Sequence, residues 1–416
     1  MLDLKFIVEN AKEVQENADK KNFKVDVSKV VGLDIKRREL LTKMEETRAA
    51  QKKLGKDQID EAKKLKAEVQ TLEPEVEKVT KELMTLAAQI PNMLLFSTPA
   101  GKDASENVVV RKVGEPRKFD FTPLDHTELG KSLDILELEK AADMSGARFY
   151  YLKNEGALLE FALIQFVISK LVSKGFSPVI PPVLVKENAM YATGFFPADK
   201  NEIYSVNPGE DELFLVGTAE VPLTMLHANE VVNIVDKPLR YCGFSTCFRR
   251  EAGSYGKDTK GIIRVHQFDK VEMFSFCDPK TSEKEHEFLV SIEEEIVQEL
   301  GFAYQVVNIC SGDLGAPAAK KYDIEAWIPT QECYREITSC SNCTTYQARR
   351  AGIKYPIVEG SNTGKKEFIH TLNGTACAMP RMIVSILENN QNPDGSVTIP
   401  DVLRPYMGGK DKIVPK

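Results

Sequence analysis

A heptad repeat near the amino terminus constrains this chain of 416 residues more than any other feature. Its apolar side chains recur at alternating steps of four and three residues, at Leu65, Val69, Leu72, Val76, Val79, Leu83, Leu86 and Ile90. A weaker repeat precedes it, at Leu33, Leu40, Thr47 and Leu54. Because each repeat places an apolar stripe along a helix, and Gly55 to Gln58 separates the two, the sequence predicts an antiparallel helical hairpin.

Two prolines bear on the second helix of this hairpin. We expect Pro91 to end the helix and Pro74, which lies inside the repeat, to kink it by at most a few tens of degrees. Each helix would contain roughly 25 to 33 residues and measure roughly 40 to 50 Å at about 1.5 Å per residue. That length exceeds what a globular domain needs for its own packing, so the hairpin is expected to extend into solvent as an arm.

Charge is distributed unevenly along the arm. Residues 36–66 contain eleven basic and six acidic side chains, whereas residues 67–90 contain two basic and five acidic ones. The whole chain has a net charge of -7, so any contact with a nucleic acid must be local. A basic far end attracts phosphates over roughly 8 to 10 Å. Solvated coiled coils are also lysine-rich, and an oligomerisation or spacer element is the alternative interpretation.

Several classes of protein are disfavoured by composition. Charged and polar residues such as Glu160 and Gln165 interrupt the apolar stretches before the roughly 18 residues that a membrane span needs. Five charged residues between Met1 and Val14 argue against an export signal. Eight cysteines in a chain of this length are too few for a disulfide scaffold. We therefore predict a cytoplasmic protein with reduced thiols and no membrane contact.

Composition also divides the chain into three parts. Residues 1–100 contain the arm, residues 101–125 are polar and are predicted to be a linker, and residues 126–416 are predicted to form a larger second domain. Within the second domain, Gly156 to Lys174 predicts a buried amphipathic helix. Phe176 to Pro182 predicts a short strand that ends at prolines.

A predicted hairpin in the second domain carries an unusual polar face. Tyr241 to Glu251 and Ile262 to Phe276 are strand-like and flank a connection with glycines at 253, 256 and 261. Side chains in a strand point alternately to its two faces, so residues an even number of positions apart share a face. Two polar side chains of the first strand share a face in this way, and so do four side chains of the second strand. These side chains are Arg249 and Glu251, and Arg264, His266, Phe268 and Glu272. The alternative is a solvent-exposed sheet face with salt bridges. The phenylalanine among these six side chains favours a ligand-binding surface instead, which we call the platform.

The platform suits a nucleotide. An arginine offers a planar fork for a phosphate, and a phenylalanine offers a stacking surface for a purine. Neither a P-loop nor a dinucleotide-binding glycine motif occurs in the sequence. Further along, Glu367 to Leu372 predicts a strand that leads through Asn373 to Thr375 into a helix from about Pro380 to Gln391. Arg381 would lie at the positive end of that helix and favour an anion, the alternative being an ion pair with a nearby carboxylate.

These segments together resemble the class II aminoacyl-tRNA synthetases, and most closely the seryl-tRNA synthetases of bacterial type. Phe248 to Glu251 is similar to motif 2 of that class, and the unit ending at Pro181-Pro182 is similar to motif 1. Gly374 through Arg381, and on to Leu387-Glu388-Asn389, is similar to motif 3. Thr218-Ala219-Glu220 is similar to the serine-binding TAE loop, and Arg335 to Asn342 to the strand that binds metal and ATP. Five motifs in order behind a helical arm make the resemblance specific, and it covers essentially the whole chain.

The resemblance implies an α+β fold. The expected architecture is an antiparallel sheet of six or seven strands flanked by helices, preceded by a long antiparallel coiled-coil arm. Residues 1–100 would bind tRNA and residues 126–416 would form the class II catalytic domain of a homodimer built through motif 1. The implied reaction uses ATP to convert L-serine into seryl-adenylate and transfers the seryl group to tRNA(Ser), with tRNA(Sec) as a second candidate substrate.

Roles are carried over residue by residue from the resemblance. The catalytic residues implied are Arg249, Glu251 and Arg381. The implied ATP site comprises Arg249, Arg250, Glu251, Arg264, Val265, His266, Phe268, Glu336, Ile337, Thr338, Ser339 and Arg381. The implied serine site comprises Thr218, Ala219, Glu220, Arg249, Glu272, Asn373 and Thr375. Glu336 and Ser339 would hold Mg²⁺, because that ion prefers oxygen ligands.

Two alternative functions stay open at this point. One is a synthetase-like ligase that charges a carrier other than tRNA, although such relatives typically lack the arm. The other is a coiled-coil binding protein with a degenerate synthetase body, which would have no need to keep Arg249, Glu251, Glu336 and Arg381 together. Cys340 and Cys343 form a lone C-x-x-C, and we interpret them as packed thiols rather than zinc ligands.

Overall fold

The computed structural model describes residues 1–55, 57–252, 260–358 and 363–416. The chain divides into two compact units, Met1–Met93 and Leu94–Lys416. Lys56 of the basic arm segment, and Gly253 and Gly256 of the glycine-rich connection, lie outside the described residues.

Helices occur in both units. Their bounds are α1 Leu4–Glu9, α2 Ala11–Lys20, α3 Val27–Lys53, α4 Ile59–Ala87, α5 His126–Ser132, α6 Glu139–Ser145, α7 Asn154–Ser173, α8 Glu187–Thr193, α9 Glu220–Met225, α10 Ser282–Glu299, α11 Tyr346–Ala351 and α12 Met379–Asn389. The two longest, α3 and α4, form the arm of the first unit. They contain 27 and 29 residues and so measure about 40 and 44 Å.

Strands are confined to the second unit within the described residues. Their bounds are β1 Val108–Val113, β2 Leu136–Glu137, β3 Tyr151–Leu152, β4 Ser177–Val179, β5 Leu184–Lys186, β6 Ser205–Val206, β7 Leu213–Leu215, β8 Leu239–Phe248, β9 Gln267–Cys277, β10 Tyr304–Asn308, β11 Lys320–Ile328, β12 Cys333–Asn342, β13 Lys354–Pro356, β14 Lys366–Phe368, β15 His370–Ala378, β16 Val397–Thr398 and β17 Lys412–Ile413. Eight of them form one large sheet, and the others pair in small sheets of two or three strands.

The arm follows the heptad repeat. Val69, Leu72, Val79 and Leu83 of the repeat are buried between the helices, and Asp26 caps the start of α3 by accepting a hydrogen bond from the backbone of Lys29. Helix α4 continues through Pro74, whose side of the helix is exposed. The predicted hairpin is therefore confirmed, whereas the kink at the proline stays a prediction.

A ladder of ion pairs sets the register of the arm. Lys29 pairs with Glu82 at 3.2 Å, Lys36 with Glu75 at 3.2 Å, and Lys43 with Glu68 at 3.1 Å. Both the lysines and the glutamates recur every seven residues, in opposite directions along the chain, so α3 and α4 are antiparallel. The pairs are solvent-exposed and individually stabilise the arm by less than about 1 kcal/mol. Their regular spacing matters more, because it disfavours any other register.

The large sheet has the order β1-β10-β11-β12-β15-β9-β8-β4. All neighbouring strands are antiparallel except β4 and β8, which are parallel. The sheet has eight strands, more than the six or seven expected. The additional edge strand is β1, which lies in residues 101–125 and pairs with β10. The side chains of β1 are almost all exposed, so this part of the predicted linker lacks the apolar alternation that would have indicated a strand.

Helix α7 packs on the sheet through one face. Leu159, Leu163, Val167 and Leu171 are fully buried in the main hydrophobic core. This helix is also long and apolar enough to cross a membrane by length and composition, which the interrupted sequence did not lead us to expect. A single helix of this kind is weak evidence for a membrane, since core helices pass the same test.

Two strand boundaries differ from the sequence-based expectation. Strand β9 begins at Gln267, so Arg264 and His266 precede it instead of lying within it. Asn373 to Thr375 lie inside β15 rather than between a strand and a helix. Asparagine and glycine are uncommon in strands, but pairing of β15 with both β9 and β12 overrides their local preference.

Candidate active site

An open cavity lies where β8, β9, β12 and β15 meet the start of α12. Its described lining consists of Phe195, Thr218, Glu220, Arg249, Glu251, Ile263, Arg264, Val265, Phe268, Lys270, Glu272, Glu336, Ile337, Thr338, Ser339, Ser341, Asn373, Thr375, Ala378, Pro380 and Arg381. Four side chains of this lining are basic and four are acidic. The cavity can therefore bind a ligand that carries both negative and positive groups.

Arg249 follows directly on β8 and lines the cavity. Its guanidinium lies over the ring of Phe268, 5.4 Å from the centroid, and its Nε donates to the carbonyl oxygen of Gly217 at 3.3 Å. Its two terminal nitrogens have no hydrogen-bond acceptor among the described residues. A guanidinium with unused donors beside an aromatic ring has the chemistry to bind a phosphate joined to an aromatic base.

Glu251 adopts a left-handed backbone conformation with φ of 50°, which is uncommon for a residue with a side chain. Its carboxylate accepts a hydrogen bond from Arg264 Nη1 at 2.6 Å. This ion pair joins the segment after β8 to the segment before β9. It brings Glu251 and Arg264 into the same cavity although neither belongs to a strand.

Arg381 and Glu336 form the opposite wall. Arg381 Nη1 lies 3.1 Å from a carboxylate oxygen of Glu336 and donates to the carbonyl oxygen of the same residue at 2.8 Å. Burial alone would raise the pKa of Glu336, but the charges of Arg381 and Lys321 outweigh burial and lower the pKa to about 2. Glu336 is therefore ionised at physiological pH. Arg381 thus forms the ion pair with a nearby carboxylate that was the alternative to anion binding. Both partners of the pair line the cavity.

A β-bulge brings Ser339 beside Glu336. In the pairing of β12 with β11, Thr338 faces Ile324 and Glu336 faces Glu325, so Ile337 is an extra residue. Residues three apart point to opposite faces of a regular strand. The extra residue reverses that parity, and Glu336 and Ser339 both line the cavity.

A buried carboxylate also lines the cavity. Glu272 is 1% exposed and makes an ion pair with Lys270. It also accepts from Asn373 Nδ2 at 3.2 Å and from the hydroxyl of Thr375 at 3.4 Å. Lys270 in turn donates to the hydroxyl of Thr218 at 2.8 Å. This network presents carboxylate and hydroxyl oxygens to a small polar ligand.

A second buried carboxylate, Glu220, begins α9. Burial and the neighbouring charge of Glu272 raise its pKa to about 7, although a hydrogen bond of 2.6 Å from Gln347 favours the ionised form. The carboxylate has no paired cation of its own within hydrogen-bonding distance in the described part of the chain. A ligand that brings an ammonium group would supply one.

The raised pKa of Glu220 predicts how stability depends on pH. The pKa of Glu220 is about 7 in the folded state and 4.5 ordinarily, so the unfolded chain loses this proton at lower pH than the folded chain does. The unliganded fold therefore loses stability as the pH rises from about 4.5 to about 7. We expect Glu220→Gln to raise the melting temperature at pH 8 by roughly 2 °C and to change it little at pH 5. Thermal unfolding at the two pH values measures this effect. Glu283→Gln, at an exposed position, controls for the loss of one charge, and an equal shift at both pH values would contradict the prediction.

Most residues predicted from the sequence meet in this cavity. The exceptions within the described residues are Ala219, Arg250 and His266. Ala219 is buried beside the lining, and Arg250 is exposed with its backbone amide bonded to Glu202. His266 packs near Phe149 and bonds to the carbonyl oxygen of Arg249. We predicted that His266 shares a face with Phe268 because side chains alternate along a strand. His266 precedes β9, so this alternation does not apply to it.

Two functional candidates were missed by the sequence-based prediction. Lys270 lies between Phe268 and Glu272 at the same period-two spacing, so the pattern itself contained the signal. Gln347 orients Glu220 from α11, and it also accepts a hydrogen bond of 2.7 Å from Thr371. Nothing local marks Gln347, because its role depends on packing of distant segments.

Comparisons with known proteins match both units. The model of the seryl-tRNA synthetase N-terminal domain matches residues 1–94, and that of the class II tRNA synthetase core domain (G, H, P, S and T) matches residues 202–390. A serine–tRNA ligase of Thermobifida fusca is 48% identical, over 92% of this chain and 91% of the relative. One of Dictyoglomus turgidum is 44% identical over 98% of each. This chain belongs to the seryl-tRNA synthetase family.

Solved structures of the family agree. The seryl-tRNA synthetase of Pyrococcus horikoshii in complex with ATP superposes with a TM-score of 0.91 at 39% identity and covers 100% of both chains. The serine–tRNA ligase of Naegleria fowleri in complex with AMP has a TM-score of 0.89 at 33% identity, covering 100% of this chain and 99% of that one. These findings confirm the predicted resemblance, the class II fold and the assignment as an aminoacyl-tRNA synthetase.

Proposed function

We propose that this chain activates L-serine with ATP to give seryl-adenylate and pyrophosphate, and then transfers the seryl group to tRNA(Ser). The observation that carries the proposal is one cavity in which the unused donors of Arg249 lie beside the buried carboxylate of Glu272. The donors of Arg249 can bind phosphate and carboxylate oxygens, and the carboxylate of Glu272 can accept a hydrogen bond from a hydroxyl. Family membership supports the same function.

In the first step the carboxylate of serine attacks the α-phosphorus of ATP, and pyrophosphate leaves. Arg249 would hold the serine carboxylate and the α-phosphate together and neutralise charge as the new bond forms. Phe268 would stack on the adenine, Glu251 would accept from its amino group, and Arg381 would hold the γ-phosphate. Such catalysis rests on positioning and electrostatic stabilisation and needs no covalent enzyme intermediate.

Mg²⁺ fits the residues present. The described residues include no cluster of three or more histidine, cysteine or acidic side chains arranged for a metal. Glu336, ionised through its low pKa, and Ser339 both line the cavity and would supply the protein ligands, with phosphate oxygens and water completing the shell. When bound, the ion neutralises part of the phosphate charge.

Selection of serine follows from the buried network around Glu272. A serine hydroxyl would bond to Glu272 and Thr375, and the ammonium group would lie near Thr218 and Glu220. Alanine would leave the buried carboxylate without that partner, which is expected to reduce kcat/KM by about 10⁴-fold. Threonine has the hydroxyl, so its exclusion must be steric.

A screen of amino acids tests the proposal. ATP-pyrophosphate exchange measured with each of the twenty amino acids should respond to serine alone. Exchange with threonine alone, or with none of the twenty, would rule out the proposed function. Charging of tRNA(Ser) by the same preparation tests the second step, and purified tRNA(Sec) in the same assay decides whether it is a second substrate.

We propose that the arm binds tRNA. Lys52, Lys53, Lys64 and Lys66 near its far end have no ion pair among the described residues, unlike the lysines of the ladder. Such side chains are available to phosphates, and in this family the arm reads the long variable arm of serine tRNA.

The eight free cysteines are in keeping with a reducing compartment, and we assign the chain to the cytoplasm.

A homodimer is the proposed assembly, formed through the motif 1 helix α7. Its outer face exposes Leu158 by 46%, Phe161 by 65% and Val172 by 47%, and Ile180 after β4 is 84% exposed. Large apolar side chains exposed along one face of a helix are typical of an interface. We expect Phe161→Glu to shift the dimer toward monomer in sedimentation velocity at micromolar concentration. Val414→Glu, at a 58% exposed position, is the matched control, and a monomeric wild-type chain would contradict the proposal.

A further inference from the structure

Three segments of the second unit meet at the buried side chain of His126. Its Nδ1 lies 2.7 Å from a carboxylate oxygen of Glu388 near the end of α12. Its Nε2 accepts a hydrogen bond of 3.2 Å from the backbone amide of Ile262. The other carboxylate oxygen of Glu388 accepts from the hydroxyl of Thr330 at 2.6 Å. The imidazole thus joins α5, α12 and the segment that leads into β9.

The hydrogen-bond partners determine which ring nitrogen carries the proton. A backbone amide can only donate, so Nε2 must be the acceptor and Nδ1 must donate to Glu388. Both nitrogens are therefore used, each by a different segment. A histidine that only filled space would not need two directional partners. An apolar replacement would leave the buried amide of Ile262 without its acceptor and would remove one hydrogen bond to Glu388.

The contact with the segment before β9 is close. Gly261 has φ of +73°, and a Cβ atom at this position would lie 1.8 Å from His126 Nε2. Lys260 makes an ion pair with Asp125, the residue before His126. Two consecutive residues of the chain, Asp125 and His126, thus hold residues 260–262 in place.

This anchored segment continues directly into the nucleotide cavity. Ile263, Arg264 and Val265 line the cavity, and the carbonyl oxygen of Ile263 accepts from Arg381 Nε at 3.4 Å. Arg381 and Glu388 belong to the same helix, α12. The position of Ile262 therefore influences Arg264 directly, and Arg381 through the carbonyl of Ile263.

We infer that His126, oriented by Glu388, is a positioning residue for ATP: it fixes Ile262 and thereby places Arg264 and Arg381 for the phosphates. The inference rests on the proposed function only in taking ATP as the ligand of this cavity. It predicts a defect specific to the nucleotide, because the network around Glu272 makes no contact with His126 among the described residues.

A matched pair of substitutions tests the inference. In His126→Asn the amide can replace Nδ1 and donate to Glu388, but nothing reaches Ile262. In His126→Gln the terminal oxygen can replace Nε2 and accept from Ile262. Equilibrium dialysis with ATP and Mg²⁺, without amino acid, should show a Kd increased roughly tenfold for the asparagine variant and about twofold for the glutamine variant. In the exchange assay, KM for serine should change less than twofold in both.

Other outcomes overturn the inference. Equal ATP affinities for both variants and wild type, with only a lower melting temperature, would make His126 a structural residue. If neither variant folds, Gly261→Ala provides the second test, since its Cβ would overlap the imidazole ring of His126 and force the ring and residues 260–262 apart. Wild-type ATP affinity in Gly261→Ala would reject the inference. Failure of the proposed function is distinguishable, because it appears as absence of serine-dependent exchange in the wild type.

Discussion

Arg249→Gln is expected to lower kcat/KM for serine-dependent ATP-pyrophosphate exchange by about 10³-fold. In the proposed complex Arg249, which lines the cavity, contacts both the serine carboxylate and the α-phosphate. Its loss therefore removes charge neutralisation where the new bond forms. Loss of a single preorganised donor costs about 10²- to 10³-fold in other enzymes, and a charged fork contributes more than a neutral donor. Steady-state exchange kinetics with varied ATP and varied serine measure the effect.

Two further variants sharpen the test on Arg249. Arg249→Lys keeps the charge but loses the planar fork and its stacking on Phe268, so it should retain only part of the activity. Arg404→Gln removes a partly exposed arginine that pairs with Asp401 and should leave exchange unchanged within about twofold. Exchange by Arg249→Gln within tenfold of wild type would mean that another group neutralises the α-phosphate.

Shortening the arm is expected to separate the two half-reactions. Lys43 and Glu68 face each other at 3.1 Å, so residues 44–67 can be replaced by a short glycine-rich turn with the rest of the ladder intact. The shortened chain should carry out pyrophosphate exchange within about twofold of wild type. Charging of tRNA(Ser) should fall by at least about 100-fold, because the removed part contains Lys52, Lys53, Lys64 and Lys66, which have no ion pair among the described residues.

A full-length variant controls for the length of the arm. Replacing Lys52, Lys53, Lys64 and Lys66 with serine should weaken tRNA binding and reduce the salt dependence of binding, by about one in slope for each phosphate that the protein no longer neutralises. Fluorescence titration at several salt concentrations measures that slope. Equal loss of exchange and charging in the shortened chain would show that the arm is needed for folding or for adenylate formation.

Patterns that repeat along the chain were sufficient to predict the arm and much of the cavity. The heptad spacing from Leu65 to Ile90 specifies a helical hairpin whatever its surroundings. Alternation along β9 places Phe268 and Glu272 on one face, and the same rule would have included Lys270. The motifs at Arg249 and Arg381 were predictable because their chemistry and their order along the chain are both specific.

Features that depend on pairing with distant segments were not predictable. The bulge at Ile337, which brings Glu336 and Ser339 together, exists only in the register of β12 with β11. A second irregularity between Thr375 and Cys377 exists only in the pairing of β15 with β9. Strand β1 has no buried face, and it forms because β10 offers it an open edge. In each case a partner far away in sequence decides the local conformation.

The ion-pair ladder restricts how the arm can change length during evolution. Residues inserted into one helix alone would rotate its lysines away from the opposing glutamates and expose part of the apolar stripe. Only equal insertions in both helices, in units of seven, preserve the stripe and the charge pairing together. Each unit changes the reach by about 10 Å, so seryl-tRNA synthetases that keep this ladder should adjust to tRNAs of different shape in discrete steps of that size.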